Sequence, residues 1–297
     1  MSVSDITASY SGHIGPTSLG ATWNNLQTSS SFGSAVTGEC IAKVERPGSG
    51  DYFFMLRGFL DFDTSSLPDN ATITSVILNL YSTSVVNQLG GFYVVQSSKT
   101  ENQIAEEDWD TIVRTAYSNY ISGAYSTGAK SVSLNSTAIS NISKTGYSKI
   151  AIMQSNDYLN SASGQGNDYF AFASYNDITP SKRPYISITW TTPPVVTSGA
   201  VSDLTPQYAT ISGEVTDVGG GTVTSRGICW SKAEDPTISD SKNTSSGQDG
   251  TFSVLANSLT PGTKYYYRAF VTTENSTTYG DNLSFVTPSG ALIFGMM

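Results

Sequence analysis

Apolar and polar residues alternate along two consecutive segments in the first third of the chain. Every second position from Phe54 to Phe62 is apolar or glycine, whereas the intervening positions include Arg57, Asp61 and Asp63. After a Leu-Pro-Asp-Asn turn, the alternation returns over residues 76–81. Successive side chains of a strand point to opposite faces, so this pattern predicts two half-buried strands. On the polar face of the first strand we expect Asp61 to pair with Arg57.

Similar short segments, separated by turns rich in Gly, Ser and Asn, continue to about residue 190. Helical periodicity is weak except over residues 100–113, where the pattern indicates a short helical turn. Pro193 and Pro194 then suit a stiff linker, because proline cannot donate to a central sheet. Beyond them the strand pattern restarts at intervals of about ten residues, which is typical of a small sandwich.

The second half resembles a fibronectin type III-like domain, in particular the version common in proteins of Bacteroidetes and their phages. The resemblance is carried by "ATISGEVTDVGGGTVTSRGICWS", "LTPGTKYYYRAFVTT" and "TYGDNLSFVT". It implies a tyrosine corner, in which the Tyr265 hydroxyl bonds back to the chain near Leu259. In the following strand, the alternating residues from Tyr265 to Val271 should share one face. Such domains are mostly spacers and display modules, so the resemblance implies little about chemistry.

The first half resembles the DNRLRE-type β-sandwich domains, which are relatives of carbohydrate-binding jelly rolls. The resemblance rests on "FMLRGFLDFDTSSLPDNATITSVILNLY" and on "RPYISITW", which is similar to the final strand of that family. It implies a scaffold of strands and a turn, with no binding residue to carry over. Similar domains occur in secreted glycan-binding proteins and in phage structural proteins.

Together these patterns predict an all-β protein of two β-sandwich domains. We expect a jelly-roll-like sandwich over residues 1–191, a Pro-rich linker over 192–195, a fibronectin type III-like or immunoglobulin-like sandwich over 196–288, and an apolar tail over 289–297.

Charge and cysteine content narrow the classes of partner. Lys and Arg total 15 against 24 Asp and Glu, and the resulting net charge of −9 argues against nucleic acid and anionic membranes. No apolar run reaches the roughly 18 residues that a membrane helix needs. Cys40 and Cys229 fall in different predicted domains, so we expect two buried thiols without a disulfide.

Catalytic chemistry finds little support, and we predict that the protein is not an enzyme. His13 is the single histidine, and no Gly-x-Ser-x-Gly elbow accompanies it. A glycosidase would need a pair of carboxylates. The candidates are Asp61 and Asp63 on one strand face and the cluster of Glu106, Glu107, Asp108 and Asp110, which also suits the cap of a short helix.

The sequence "SNDYLNSASGQGNDY" suits a structural calcium ion, which is the cofactor we consider. Calcium prefers carboxylate and amide oxygens. The candidate ligands are Asn156, Asp157, Asn167 and Asp168. Because Asn, Asp and Gly are also ordinary loop residues, an ion-free loop is the favoured interpretation.

Aromatic residues in the loops of the first domain are candidates for binding glycans. The apolar face of an exposed ring stacks on a sugar while nearby polar groups bind its hydroxyls. The candidates are Trp109, Tyr117, Tyr120, Tyr125, Tyr158 and Tyr169. The alternative is that these rings cover sheet edges. The stretch "AYSNYISGAY" is the one to test first.

The final residues "ALIFGMM" indicate a contact surface or a disordered end, because apolar residues beyond a complete sandwich usually mark one or the other. We expect Leu292, Ile293 and Phe294 to dock on a partner subunit or on another copy, giving a homo-oligomer.

These observations favour a non-enzymatic bacteriophage virion protein, such as a capsid decoration, head fibre or tail component, that also binds host-surface polysaccharide. The chain suits the outside of a cell, yet its start, "MSVSDITASYSGHIG", lacks the pattern of a secretory signal peptide. The expected location is therefore the virion. The alternative is a glycan-binding accessory module of a secreted bacterial enzyme or adhesin, at the cell surface or outside the cell.

Overall fold

A computed structural model describes residues 1–15, 35–46, 54–86, 90–98, 111–122, 126–161 and 166–290. Within these residues the chain is all-β, as predicted, with only short helical segments. It divides into two compact units. The larger unit is formed by Val3–Asp69 and Ile73–Thr189, and the smaller consists mainly of the chain from Trp190 on. The predicted linker, residues 192–195, lies at the start of the smaller unit.

The described part of the first unit is built from strands and three short helical segments. The strands are β1 (Ser2–Ile14), β2 (Val36–Thr37), β3 (Cys40–Arg46), β4 (Phe54–Asp63), β5 (Thr72–Val86), β6 (Phe92–Ser97), β7 (Ile112–Ala116), β8 (Gly128–Ser133), β9 (Tyr147–Gln154), β10 (Gly166–Phe172) and β11 (Tyr185–Thr191). The helices are α1 (Ser136–Ser140) and α2 (Ser155–Leu159), with a 3₁₀ turn at Pro180–Lys182. Ile112 and Val113, which belong to the predicted helical turn, lie in β7 instead; residues 100–110 lie outside the described residues.

These strands join into one eleven-stranded sheet, and their pairings divide it into two layers. One layer has the order β2-β1-β4-β9-β6-β7, and the other has the order β8-β5-β10-β3. Strand β3 also pairs with β4, and β11 lies between β1 and β5. Phe92 of β6 packs between the layers, with ring centroids 5.2 Å from Phe170 and 5.4 Å from Phe172. Each fully buried phenylalanine contributes about 1.5–3 kcal/mol to folding.

Strand β4 differs from the half-buried strand that its sequence predicts. Leu60 and Phe62 are buried, as expected, but Arg57, Phe59 and Asp61 on the opposite side are buried as well. The reason is a second apolar cluster on that face of the layer. Its members are Tyr10, Ile14, Val44, Met55, Phe59, Val95, Ala151 and Met153, and Tyr158 of α2 packs against them. The charged side chains of Arg57 and Asp61 therefore lie within the protein.

Asp61 and Arg57 also have neighbours that the strand pattern does not indicate. Lys149 of β9 and Tyr10 of β1 stand directly opposite Asp61 in the sheet. The Arg57 guanidinium binds Asp157, one hundred residues further along the chain. A strand pattern reports which residues share a face, and it carries no information on a partner so distant in sequence.

Both described cysteines are buried and free, as predicted. Burial raises the pKa of both thiols, that of Cys229 to about 11. Cys40 also explains Gly58 at the middle of β4. A Cβ atom at this position would lie 2.5 Å from the Cys40 Sγ and 3.1 Å from the Ile41 carbonyl oxygen. The close approach of β3 to β4 therefore requires glycine here.

The second unit is a smaller two-layer sandwich. Its strands are β12 (Val195–Ser202), β13 (Ala209–Asp217), β14 (Val223–Ser231), β15 (Ser241–Ser245), β16 (Gly250–Ala256), β17 (Lys264–Thr273), β18 (Thr277–Tyr279) and β19 (Leu283–Val286). One sheet has the order β12-β13-β16, and the other has the order β15-β14-β17-β18 with β19 also paired to β17. Its core contains Val196, Ile211, Val215, Ile228, Trp230, Phe252, Leu259 and Phe285, among others. This division of strands agrees with the predicted fibronectin type III-like sandwich.

The tyrosine corner is confirmed. The Thr260 backbone N–H donates to the Tyr265 hydroxyl oxygen at 3.1 Å, next to Leu259. The alternation along β17 is confirmed too, because Tyr265, Tyr267, Ala269 and Val271 all belong to the core.

The outer face of β17 is partly buried, which the sequence pattern does not predict. Phe270 is buried there, as is Cys229 on the adjacent strand β14. The Cys229 thiol donates to the Pro236 carbonyl at 3.3 Å, and the Ile238 N–H donates to the Tyr279 hydroxyl at 3.1 Å. The segment after β14 therefore folds over the sheet and covers a small second core.

Candidate functional site

Three tyrosine rings meet on one face of the first unit. The rings of Tyr93 and Tyr158 stack with centroids 4.1 Å apart and an interplanar angle of 29°. Tyr120 approaches Tyr93 at 5.7 Å and is tilted by 55°. Tyr120 is 47% exposed, and the other two rings are partly buried. We call Tyr93, Tyr120 and Tyr158 the tyrosine cluster.

Three different elements supply these rings. Tyr93 lies on β6 opposite Met153 of β9, on the face away from Phe92 and the space between the layers. Tyr120 follows β7 in a segment that is held to β6 by reciprocal backbone hydrogen bonds between Phe92 and Ile121, at 3.1 and 3.0 Å. Tyr158 belongs to α2. Paired backbone on two sides makes the cluster a rigid surface rather than a loop tip.

Helix α2 is short and depends on specific contacts to hold its position. The Gln154 side-chain oxygen accepts hydrogen bonds from the N–H groups of Asn156 and Asp157, at 2.6 and 3.3 Å, and so caps its first turn. The Asp157 carboxylate then accepts two hydrogen bonds from Arg57, from Nε at 2.8 Å and from Nη2 at 2.9 Å. Both side chains are almost fully buried. This bidentate pair anchors α2, and with it Tyr158, to strand β4.

A second arginine reaches the other end of α2. Arg114 of β7 donates from Nη1 to the carbonyl oxygens of Asp157, at 2.6 Å, and Tyr158, at 3.0 Å. Its Nη2 lies 3.6 Å from the Asp157 Oδ1, and its side chain is 36% exposed. These contacts satisfy carbonyls at the C-terminal end of the helix, where a cation is favourable.

The pKa shifts of this region follow from burial. Desolvation lowers the pKa of Arg114, although the charge of Asp157 opposes this change. Burial raises the pKa of Tyr93, and the neighbouring hydroxyls of Tyr158 and Tyr120 add to the shift. Tyr93 is thus held neutral, and Arg114 remains protonated at all physiological pH values because an arginine pKa is so high.

The predicted glycan-binding residues are divided by the structure. Tyr120 and Tyr158 come together, whereas Tyr117 is buried, so its ring has no free face for a sugar. Tyr169 lies on β10 in the other layer, with the Lys43 ammonium 5.8 Å from its ring centroid. Trp109 and Tyr125 lie outside the described residues.

Tyr93 is the member of the cluster that sequence reasoning missed. The signal was present in "GFYVVQSS", because a strand that turns Phe92 inward must turn Tyr93 outward.

The predicted calcium ligands do not share one loop. Asn156 and Asp157 are buried in α2, and the carboxylate of Asp157 is bound to Arg57, so it is not a free ligand. Asn167 and Asp168 lie in β10, opposite Glu45 and Val44 of β3. No group of three or more His, Cys, Asp or Glu side chains that suits a metal ion occurs among the described residues.

The residues weighed for catalysis are also separated. The His13 Nδ1–H donates to the Glu39 carbonyl at 3.0 Å, and burial lowers the His13 pKa. Asp61 is fully buried, whereas Asp63 is exposed and accepts hydrogen bonds from Ser65, which lower its pKa. The acidic cluster from Glu106 to Asp110 lies outside the described residues, as do Leu292, Ile293 and Phe294. No helix in the described part of the chain is long and apolar enough to cross a membrane.

Comparison with known proteins assigns no family to the chain. No protein-family model matches the chain, and no curated protein matches it. Among solved structures, the sensor domain of the anti-sigma factor RsgI4 from Pseudobacteroides cellulosolvens is 18% identical, with a TM-score of 0.25, over 33% of this chain and 76% of that one.

Two further structures show similarities of the same order. The fibronectin domains FN1–FN3 of chicken CNTN1 are 10% identical, with a TM-score of 0.26, over 96% of this chain and 90% of that one. A β-1,2-glucanase from Parabacteroides distasonis is 10% identical, with a TM-score of 0.21, over 85% of this chain and 37% of that one. TM-scores this low carry no weight for fold or function.

Proposed function

We propose that the protein is a non-enzymatic carbohydrate-binding display protein, in which the first unit binds a sugar and the second unit serves as a spacer. The observation that carries this proposal is the tyrosine cluster. Its rings come from three separate elements and converge on one surface, and Tyr120 is the most exposed of them.

Sugar recognition explains why an aromatic cluster would lie at such a surface. The C–H groups of a pyranose ring form an apolar face that packs on a tyrosine ring, and the tyrosine hydroxyls remain available for hydrogen bonds. The exposed polar residues Asn119 and Ser122 flank Tyr120 and Ile121 along the chain. Both kinds of contact that a sugar needs are therefore present around Tyr120.

The anchoring of α2 supports the proposal from a second direction. Arg57 and Arg114 hold the helix that carries Tyr158, so the ring is positioned before a ligand arrives. A preorganised surface loses less conformational entropy on binding. A purely structural cover for the sheet edge would need only the buried faces of these rings, and Tyr120 would contribute little to it.

The setting that we propose is a phage particle, with the second unit and residues 292–294 connecting the protein to its neighbours. The low content of charged residues, 13%, and the two sandwiches suit such a component. A secreted bacterial adhesin or enzyme accessory module is the alternative. Mass spectrometry of purified phage particles tests the setting, since the protein should occur there at a fixed copy number. Its absence from particles and presence at a bacterial surface would favour the alternative.

Carbohydrate binding itself is tested with a printed array of bacterial and plant polysaccharides probed with the purified, labelled chain. We expect retention on a small set of polysaccharides that is lost after periodate oxidation of the printed sugars. Retention that survives periodate, or no retention by a protein shown to be folded, would contradict the proposed function.

A further inference from the structure

The guanidinium of Arg114 borders the tyrosine cluster and retains unused donors. Nη1 is occupied by two backbone carbonyls, but Nη2 lies 3.6 Å from the Asp157 Oδ1, which is beyond hydrogen-bond distance. A guanidinium has five N–H donors and no acceptor. Among the described residues, Nε and Nη2 of Arg114 therefore remain available to a ligand.

The position of Arg114 relative to the rings is also fixed. Its Nη1 donates to the backbone carbonyl of Tyr158 at 3.0 Å, so the guanidinium is tied to the residue that carries one of the rings. The side chain is 36% exposed, so it is neither fully hydrated nor sealed in the core. A partly desolvated cation attracts an anion more strongly than one in bulk water.

Among the described residues, the charged groups around Asp157 sum to a positive charge, whereas the whole chain is negative. The whole protein carries −9, yet two guanidinium groups, Arg57 and Arg114, converge on Asp157. Arg57 already forms the bidentate pair with that carboxylate. Arg114 is thus a second cation on the same acidic group, at the edge that faces solvent.

From this arrangement we infer that the tyrosine cluster binds an acidic sugar, and that Arg114 binds the carboxylate of that sugar while a tyrosine ring stacks on its pyranose face. The inference rests on the proposed function and names the class of ligand: glycans that contain hexuronic or sialic acid. A planar guanidinium matches a carboxylate better than a point charge does. A sugar acid presents an apolar ring face and an anion within one residue.

Recognition of this kind acts by contact rather than at long range. The net charge of −9 repels a polyanion at a distance, so the protein lacks the electrostatic steering that a basic surface provides. The affinity should therefore depend on one carboxylate at the site. Lengthening the acidic chain beyond the site should not increase it.

The decisive experiment uses matched pairs of ligands on the complete chain. The probes are oligogalacturonate and the same oligosaccharide after chemical reduction of its carboxyl groups, together with sialyllactose and lactose, measured by titration calorimetry. We expect at least one acidic probe to bind about tenfold to a hundredfold more tightly than its neutral counterpart, the usual effect of a charge-assisted hydrogen bond. Arg114→Gln should remove this preference, and Arg114→Lys should retain part of it.

The outcomes separate the class of ligand from the proposed function. If the neutral partner of each pair binds as well as the acidic one, the acidic-sugar inference is overturned while carbohydrate binding stands. If none of the four probes binds, the inference is likewise overturned, and the polysaccharide array decides independently whether the proposed function survives. The ligand comparison uses the unaltered protein, so it holds even if Arg114→Gln displaces α2.

Discussion

Strands β4 and β17 have the same kind of sequence, but their second faces are covered to different extents. In β17 the core residues Tyr265, Tyr267 and Ala269 alternate with half-buried ones such as Tyr266 and Arg268. In β4 both faces are buried, and the second face contains Arg57 and Asp61. Alternation tells which side chains share a face. Whether that face meets solvent depends on a layer contributed by distant parts of the chain.

The difference extends to how each unit accommodates a buried arginine. Arg57 in the first unit pairs with the carboxylate of Asp157, which is also buried. Arg226 in the second unit donates instead to the carbonyls of Ser246, Asp249 and Gly250 and stacks on Phe252. The first unit thus depends on a charge pair that also anchors the tyrosine cluster. The second satisfies its cation with backbone alone, away from any predicted site.

Removing the buried carboxylate should produce the largest effect. Asp157→Ala leaves the Arg57 charge without its bidentate partner, and breaking a buried pair in this way typically costs about 3–5 kcal/mol. Urea unfolding, followed by hydrogen exchange and mass spectrometry, reports the two units separately. We expect the loss to be confined to the first unit.

The matched control for this variant is the exposed pair of Arg268 and Asp235, whose atoms lie 3.7 Å apart and whose aspartate is 72% exposed. Asp235→Ala should change the free energy of unfolding by less than about 1 kcal/mol, because surface pairs contribute little. Equal losses in the two variants would show that the Arg57–Asp157 pair does not anchor the first unit.

In the second unit the tyrosine corner should give a smaller effect. Tyr265→Phe removes the hydroxyl that accepts from the Thr260 N–H and donates to the Thr260 Oγ1, and each neutral hydrogen bond that is lost costs about 1 kcal/mol. The adjacent Tyr266→Phe is the control, since among the described residues its hydroxyl accepts from the exposed Lys264 ammonium alone. If both variants unfold at the same urea concentration, the corner does not stabilise this sandwich.

The smallest expected effect is on the pH dependence of stability, and it is confined to the first unit. Burial lowers the pKa of His13, so as the pH falls below about 6.5 the unfolded chain takes up a proton before the folded protein does. Stability contributed by neutral His13 is therefore fully present above that pH and is lost as the pH falls through the folded pKa. In His13→Asn, the urea midpoint of the first unit should depend less on pH between about pH 7.5 and pH 5. A profile that keeps its slope in this variant would assign the dependence to other groups.

The features that the sequence predicted correctly depend on residues that are close together along the chain. The all-β fold, the tyrosine corner and the alternation in β5 and β17 are local patterns, and the structure bears them out. Tyr120 and Tyr158 were candidates because they lie near turns. Tyr117 was a candidate for the same reason, and it is buried because its backbone pairs with Val94 of β6 and Asn135 at the start of α1.

The remainder depends on contacts between distant segments. Arg57 and Asp157 are one hundred residues apart, and Tyr93 joins Tyr158 only because β6 lies beside β9 and α2. No period in the chain relates these positions. The apolar cluster that covers β4 likewise contains residues of β1, β3, β6 and β9. The sequence around Arg57 and Asp61 therefore did not indicate that these side chains are buried.

The central claim is that the tyrosine cluster of the first unit binds carbohydrate, and one comparison tests it most directly. Tyr120 and Tyr208 are tyrosines of nearly equal exposure, 47% and 46%, in the first and second units respectively. The measurement is the affinity of the unaltered chain, Tyr120→Ala and Tyr208→Ala for a polysaccharide retained on the array. Our account predicts that Tyr120→Ala binds about tenfold more weakly, the usual effect of losing a stacked ring, while Tyr208→Ala binds as the unaltered chain does. Unchanged affinity in Tyr120→Ala, or an equal loss in both variants, would contradict it.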